Sequence, residues 1–577
     1  MNPTPRSSPI PSLLPPARSD ALPSASTRRR RGPWTTVFAC ALALAALPAS
    51  ALAADAENIG TRRELFVDQA LVERLSGRAE LRLHQPIPQE ISLSHDIPWE
   101  GSGSGYHSVF QDGDRYRMYF KAYEISPLRE ADRKQPEVHP LFCAYAESTD
   151  GIHWRRPELG LHAFNGSRAN NIVMVSGRQG SLFVDAGHPA VFRDDNPAAT
   201  PDARYKAILR SDTPEGPRGL LAFKSPDGLN WTPMADHPVI TNGAFDSQNL
   251  AFWDGERGVY RAYWRYFDRG SSDQPYVGVR SIRTGTSKDF LHWENEADVV
   301  FPDAPPTHLY TNAVKPYHRA PHLLIGFPAR YVERELKGTM DDSRGKATPE
   351  KMRQWSPSMQ ALPELEHRQL RASASERYGT ALTETVLMAS RDGVHFKRWT
   401  EAFLPPGIER SGTWNYGNQY VAWHVVETRS ALEGAPNELS FYAVERYWSE
   451  QGSVLRRYTL RLDGFVSAWA PMAGGELVTK PIRFSGQTLT LNFASSVAGG
   501  VRVELQDEAG RPIPGFTLDD CAPVFGDAHE RPVTWLSGAD LSALAGKPVR
   551  LRFELRDAHL YAYRFAPAAA NASAQRP

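Results

Sequence analysis

The sequence predicts an all-β protein, a five-bladed β-propeller followed by a C-terminal β-sandwich. Three observations carry this. A short motif recurs four times, each copy closes a set of strand-like runs, and beyond Pro471 the pattern changes to short alternating strands.

The motif is Ser-x-Asp-Gly/Phe-x-x-Trp/Phe, with its aspartate at Asp150, Asp227, Asp289 and Asp392. Asp-Gly between two such runs is a hairpin signal, because both central residues of a type I′ turn need positive φ. Recurrence at this spacing means a propeller or a solenoid. In the first unit, runs at 105–110, 116–121 and 141–146 precede the turn at Asp150. Four antiparallel strands per unit make a blade. The second unit runs from Asn171 to Pro233, the third from Pro238 to Trp293 and the fourth from Val300 to Trp399. A fifth lacks the motif but keeps strand-like runs at 415–420, 421–425, 439–444 and 455–460.

Residues 54–88 are expected to lead into the propeller, which spans 89–470. The fourth unit is long because a charged segment, 333–377, interrupts it. It reads as a mostly helical insertion between the second and third strands, covering the face where the inner strands begin. Such an insertion is expected to close a deep pocket and favour exo action. Runs at 489–493, 501–505 and 549–555, separated by turn residues, read as the sandwich over 471–567, with 568–577 as a tail.

Charge and address narrow the function. Lys plus Arg and Asp plus Glu number 66 each, so the basic footprint of a nucleic-acid binder is missing. Residues 1–53 read as an export signal: Arg28 to Arg31, an apolar run over 37–47, and Ala51-Leu52-Ala53 before a cleavage at Ala54. Cys40 lies inside the apolar run, badly placed for a lipoprotein cysteine. No later stretch reaches the roughly 18 apolar residues of a membrane span, so a periplasmic or secreted protein is expected. Cys143 and Cys521 remain, and one disulfide or two buried thiols are both open. No CxxC or zinc spacing occurs, and nothing calls for a cofactor or metal, although a structural divalent cation in the channel stays open.

A propeller site forms where the inner strands start. Those positions hold Asp96, Trp99, Glu100, Tyr106 and His107; Asp185 and His188; Asp246, Gln248 and Asn249; His308, Tyr310 and Asn312; and Trp414, Asn415 and Tyr416. Aromatic faces stack on sugar C–H faces and polar groups match hydroxyls, so this mixture suits a carbohydrate partner. The competing reading is a polar lining that merely solvates a channel. Cleaving a glycoside needs two carboxyl groups. Asp246 is the first choice, and Glu384, between apolar neighbours that would raise its pKa, is the expected acid. Asp185, Glu100 and Asp96 compete for the remaining place. Arg265, Arg283 and Arg330 fall near strand ends on the same face and suit a substrate carboxylate or sulfate, although Arg330 suits an insertion glutamate equally.

With these residues the chain resembles the furanosidase superfamily of five-bladed propellers, glycoside hydrolase families 32 and 43. The stretches Arg63-Glu-Leu-Phe-Val-Asp68, Leu83-His-Gln-Pro86, Phe245-Asp-Ser-Gln-Asn249 and His308-Leu-Tyr-Thr-Asn312 look like bacterial proteins described as family 32-like. The resemblance implies cleavage of furanosides by Asp, Asp and Glu of the first three blades. Two motifs depart from it. Ser104-Gly-Tyr-His107 stands where Asn-Asp-Pro is expected and Gly187-His-Pro189 where Arg-Asp-Pro is, leaving Asp246 as the counterpart in blade three. The expectation is an exported glycoside hydrolase. A non-catalytic carbohydrate-binding propeller is the first alternative, favoured by the missing carboxylates. A sialidase-like exoglycosidase is the second: the repeated turn resembles its Asp-box, one residue shorter, without a legible arginine triad or Tyr–Glu pair.

Overall fold

The computed structural model describes residues 56–125, 138–211, 218–335, 345–449 and 451–567. The expected export signal, its cleavage point and the tail lie outside the described residues. Among the described residues no helix is long and apolar enough to cross a membrane.

Strands dominate, and the first four sheets are meanders in chain order. The first holds Gly105–Asp112, Arg115–Ala122, Phe142–Ser148 and Ile172–Val175. The second is built on Leu182–Arg193, Tyr205–Ser211 and Gly219–Ser225, the third on Leu250–Asp254, Val259–Phe267, Arg280–Ser287 and Trp293–Asp298. The fourth has Lys315–Tyr317, Ala320–Gly326, Met388–Ser390 and Lys397–Arg398, and beside it a ribbon of His308–Leu309, Ala329–Glu333 and Ala381–Thr385.

The repeated motif forms one turn four times. In the first copy Ser148 Oγ accepts from the N–H groups of Asp150 and Gly151, and Asp150 Oδ1 accepts from Ile152 and His153 at 2.8 and 2.9 Å. The bonds repeat at Asp227, Asp289 and Asp392. Burial would raise these four carboxyls, but the donors hold all of them below the usual carboxylate range. The type I′ expectation is corrected here. Only the residue after each aspartate has positive φ (Gly151 72°, Gly228 79°, Phe290 73°, Gly393 85°), because the aspartate side chain itself caps the turn.

Each turn rests on the second strand of the preceding sheet. Arg117 donates to Asp227 O at 2.8 Å, Lys206 Nζ lies 5.9 Å from the Phe290 ring, and Tyr263 donates to Gly393 O at 2.9 Å. The first turn rests on the fifth sheet, where Tyr442 donates to Gly151 O. A Cβ on Gly228 would lie 2.4 Å from Tyr119 Oη, so the glycine is needed for close approach as well as for its φ. These contacts link the sheets one to the next, from the fifth to the first and on to the fourth, in a ring-like succession.

That fifth sheet differs from expectation. Its strands are Val426–Thr428, Glu438–Glu445, Val454–Arg461 and, last, Ile87–Ser94 from the beginning of the chain. Residues 415–420 form turns rather than a strand. Pro88 is accommodated because Ile87–Ser94 is the edge strand. Residues 57–83 are likewise more than a lead-in. Val72–Gly77 pairs with Gly475–Thr479, Glu80–Leu83 with Val466–Ala470, and Glu57–Gly60 runs parallel to Ile482–Phe484. The C-terminal region is a continuous eight-stranded sheet in which Thr488–Gln506 and Arg550–Ala566 pair along most of their length.

The insertion is helical, with Pro349–Met352, Pro357–Ala361, Leu365–Ala374 and Glu376–Thr380. Thr348 and Ser356 cap the first two by accepting from Lys351 N and Met359 N, each with proline at the start of the helix. Cys143 and Cys521 are unpaired buried thiols, which answers the question left open by the sequence. Removing one turn tests the ring. Asp227→Ala is expected to lower unfolding stability by about 1–3 kcal/mol, since it strands two backbone donors, with a smaller loss for Asp227→Asn; denaturant unfolding measures both.

Candidate functional site

The inner strands begin around an aromatic hollow. Tyr106, Tyr310, Tyr331, Tyr416, Tyr420 and Trp448 form one buried cluster, with Tyr378 and Tyr447 against it. Tyr106 stacks on Tyr420 at 6.1 Å, Tyr310 on Tyr420 at 5.4 Å, and the Tyr416 hydroxyl donates to that of Tyr310 at 2.9 Å. Tyr378, from the insertion, meets Trp448 at 4.4 Å. Left-handed backbone gathers here: Tyr106 (φ 51°), Trp414 (56°), Gln419 (57°) and Trp448 (54°). Each costs about 1–3 kcal/mol, a strain that clusters at functional sites.

Cations surround the phenols. The Arg265 guanidinium lies 4.8 Å from the Tyr310 ring and pairs with Asp246; Arg280 lies 5.3 Å from Tyr310 and 4.3 Å from Tyr331. Arg377, from the insertion, lies 4.5 Å from Tyr378 and 5.9 Å from Tyr416. Lys121 donates to the Tyr447 hydroxyl at 3.1 Å and sits 5.0 Å from the Tyr106 ring. Burial lowers Lys121 to about 8, opposed by Asp185. Burial alone would raise Tyr310, but Arg265, Arg280 and Arg377 outweigh it and hold its hydroxyl below the usual tyrosine range. Tyr106, Tyr416 and Tyr420 shift the other way, chiefly through burial.

Among the described residues three carboxylates belong to this end. Asp246 precedes Leu250–Asp254, and its side chain is 39% exposed. Asp185 lies in Leu182–Arg193, 2.9 Å from His188 Nδ1 and 3.3 Å from Arg210, and accepts from Gly187 N. Burial would raise Asp185, yet these donors bring it to about 2. His188 stands 5.3 Å from the Tyr106 ring, and its pKa is lowered by burial against the pull of Asp185. Glu333 accepts from the Tyr331 hydroxyl.

Other expected residues serve the framework. Glu384 is corrected: it pairs across the ribbon with Arg330 at 2.5 Å, and the neighbouring pair Tyr331 and Thr383 faces the hollow. Side chains alternate along a strand, so Glu384 and Arg330 point to the other side. Arg283 is likewise engaged elsewhere, 2.7 Å from Asp298 and over Tyr266. Glu100 is fully buried between His95 at 2.7 Å and Arg156, and His107 lies 3.2 Å from His95 beneath the hollow. Asn415 accepts from Arg368 and Arg371 at 2.9 and 3.0 Å, which with His367 on Trp448 O at 2.9 Å clamps the insertion to the ring. Gln248 donates to Tyr106 O and Pro189 O, joining three sheets. Asn249 holds its own turn and Asn312 spans to Tyr263 O. His308 Nδ1 accepts from Arg280 N at 3.0 Å. Trp99 bonds Asn171, Trp414 bonds Gly407 O, and Asp96 is exposed.

No family model matches the chain, and no curated protein does. Solved structures do. A thermostable family-43 glycoside hydrolase is similar with a TM-score of 0.37 and 12% identity, over 66% of this chain and 96% of that one. An endo-arabinase from Bacteroides thetaiotaomicron scores 0.33 at 12% identity, over 65% and 96%. An N-acetylgalactosamine deacetylase from F. plautii, in complex with blood group B trisaccharide, scores 0.34 at 12%, over 69% and 96%. None of these activities transfers at such identities and scores.

Lys121, Arg280, Glu333, Arg377, Tyr420 and Tyr447 were not expected. A lysine within the apolar run Met118-Tyr-Phe-Lys-Ala122 was a readable signal; Arg377 and Glu333 lay at the borders of the insertion. At the opposite ends of the inner strands lies a cavity of about 420 Å³, lined among others by Lys315, His424, Arg193 and Phe465. Its carboxylates are taken, Asp195 by Arg193 and Glu427 by His318. Lys315 fills the centre of the ring, 5.4 to 5.7 Å from the Phe192, Phe252 and Trp423 rings. Among the described residues no cluster of His, Cys, Asp or Glu gathers as metal ligands. The tyrosine end therefore has the chemistry.

Its field is measurable. One phenol is expected to ionise below the ordinary value of about 10, and Tyr310→Phe to remove that step from the ultraviolet phenolate titration. Because the folded value lies below the unfolded one, this ionisation adds stability that is complete above about pH 10 and fades as pH falls through the folded value.

Proposed function

We propose that the chain is an exported glycoside hydrolase working at the tyrosine-lined end of a five-bladed propeller, with the eight-stranded sheet as a β-sandwich behind it. The single observation that carries this is a pair of carboxylates joined to one aromatic cluster. Asp246 pairs with Arg265, which lies 4.8 Å from the Tyr310 ring, and Glu333 accepts from the hydroxyl of Tyr331, whose ring lies 6.3 Å from that of Tyr310. Sugar rings stack on phenols, and glycoside cleavage takes one ionised and one protonated carboxyl.

In this reading Asp246, held by Arg265, attacks the anomeric carbon or takes a proton from the water that does, and Glu333 gives a proton to the leaving oxygen. Asp185 is a positioning residue, fixing His188 beside Tyr106. Export rests on the signal read from the sequence. A binding-only reading has one observation in its favour: Asp246 and Asp185 are each already paired with an arginine.

Reducing-sugar release from a panel of plant and bacterial glycans separates the two. Asp246→Asn and Glu333→Gln are each expected to lose about 10²–10⁴-fold, while Glu384→Gln keeps the rate. Binding without release by wild type would favour the binding protein, and an inactive Glu384→Gln that folds normally would overturn the assignment of the acid.

A further inference from the structure

We infer that the cavity at the end of the ring opposite the tyrosines binds a small carboxylate carried on an apolar body, its charged group held by Lys315 and His424. The site is separate from the proposed sugar site and does not depend on that reading.

The cavity opens where the first strand of a sheet turns into the second. The connections at that end, 113–114, 194–204, 255–258, 318–319 and 429–437, all belong to the described residues. Its volume of about 420 Å³ suits a small molecule, whose pockets run to roughly 300–1,000 Å³. Phe110, Tyr116, Tyr317, Phe327 and Phe465 are among its walls. Both tyrosine hydroxyls turn into the framework, Tyr116 donating to Glu427 O and Tyr317 to Asp463, each at 2.8 Å. At the exposed mouth Arg193 holds Asp195 at 2.7 Å, and His318 lies 2.9 Å from Glu427.

Two polar side chains on these walls are left over. Lys315 Nζ faces the Phe192, Phe252 and Trp423 rings and, among the described residues, neither donates a hydrogen bond nor forms an ion pair. An ammonium has three donors, and aromatic faces offset only part of the cost of burying it. His424, 9% exposed, forms no hydrogen bond among the described residues, and its Nε2 is buried without a partner. Its backbone is left-handed (φ 79°), a strain that gathers at ligand clamps. Burial and the nearby Lys315 keep His424 neutral, so it donates from one ring nitrogen. Burial lowers Lys315 to about 8, against the pull of Asp195, which leaves it charged at neutral pH. A cationic donor and a neutral one in a cavity walled by rings match a charged acceptor on an apolar body. A carboxylate accepts from both and gives the ammonium its counter-charge, whereas a neutral carbonyl leaves that charge unanswered.

Calorimetry on the full chain tests this with benzoate, the uncharged benzamide, and acetate, which lacks the apolar body. Benzoate is expected to bind roughly 10–100-fold tighter than benzamide, the worth of a charge-assisted contact, and tighter than acetate. Lys315→Met is expected to erase the preference over benzamide, while Asp246→Asn, at the other end, keeps it. Lys315→Met removes three ring contacts along with the charge, so a wild-type crystal grown with 4-bromobenzoate gives a reading independent of that variant. Its bromine is expected between Phe110, Phe327 and Phe465, with the carboxylate on Lys315. Equal binding of benzoate and benzamide, acetate binding as tightly as benzoate, preference retained in a folded Lys315→Met, bromine outside the cavity, or no binding of any probe overturns the inference.

Discussion

The ring depends on one strand pairing. Ile87–Ser94 lies antiparallel to Val454–Arg461, with Leu93 opposite Leu455 and Ile91 opposite Arg456, so that the two ends of a long circuit meet in one sheet. Around the rest of the ring, each motif turn already sits on its predecessor. Only the fifth sheet has neither its own motif nor its own last strand, and Glu90 ties the borrowed strand to Arg457 at 2.5 Å. The chain leading into it is fixed as well. Arg63 pairs with Asp463 and Glu530, while Glu64 and Asp68 both hold Arg391 of the fourth sheet. The stretch Arg63 to Asp68, which carried part of the family resemblance, is thus a joint between the ring and the C-terminal sheet rather than part of the hollow.

A closed ring explains the site. Inner strands that start together bring Tyr106, Asp185, Asp246 and Tyr310 to one end from four separate sheets. Left-handed residues such as Tyr106 and Trp448 survive because the surrounding sheets determine their geometry, an energy that a free loop would relax. Lys315 at the ring's centre stabilises the same arrangement through three aromatic faces from different sheets.

How much of this was legible follows the range of the interactions. The motif turn was readable because Ser148 to Trp154 uses only its own hydrogen bonds, although its φ pattern was misread: the aspartate side chain does the work assigned to a second positive φ. The insertion was readable as helical from its charge and lack of alternation. The pairing of 87–94 with 454–461 joins segments hundreds of residues apart and leaves no local trace. Glu384 was placed at the correct end of its strand, yet one step of alternation sends it away from Tyr331. The amides of Asn415 and Gln248 look the same in sequence whether they meet a hydroxyl of a sugar or a backbone carbonyl. Lys121, Arg280 and Arg377 become a set only when two sheets and a helix of the insertion converge.

Amide hydrogen exchange at Leu93 and Leu455 tests the closing pair most directly. The account predicts that both exchange at the slow rate of global opening, since breaking either bond opens the ring. Fast exchange at Leu93 with Leu455 still protected would show a loosely held strand and a ring that does not depend on it.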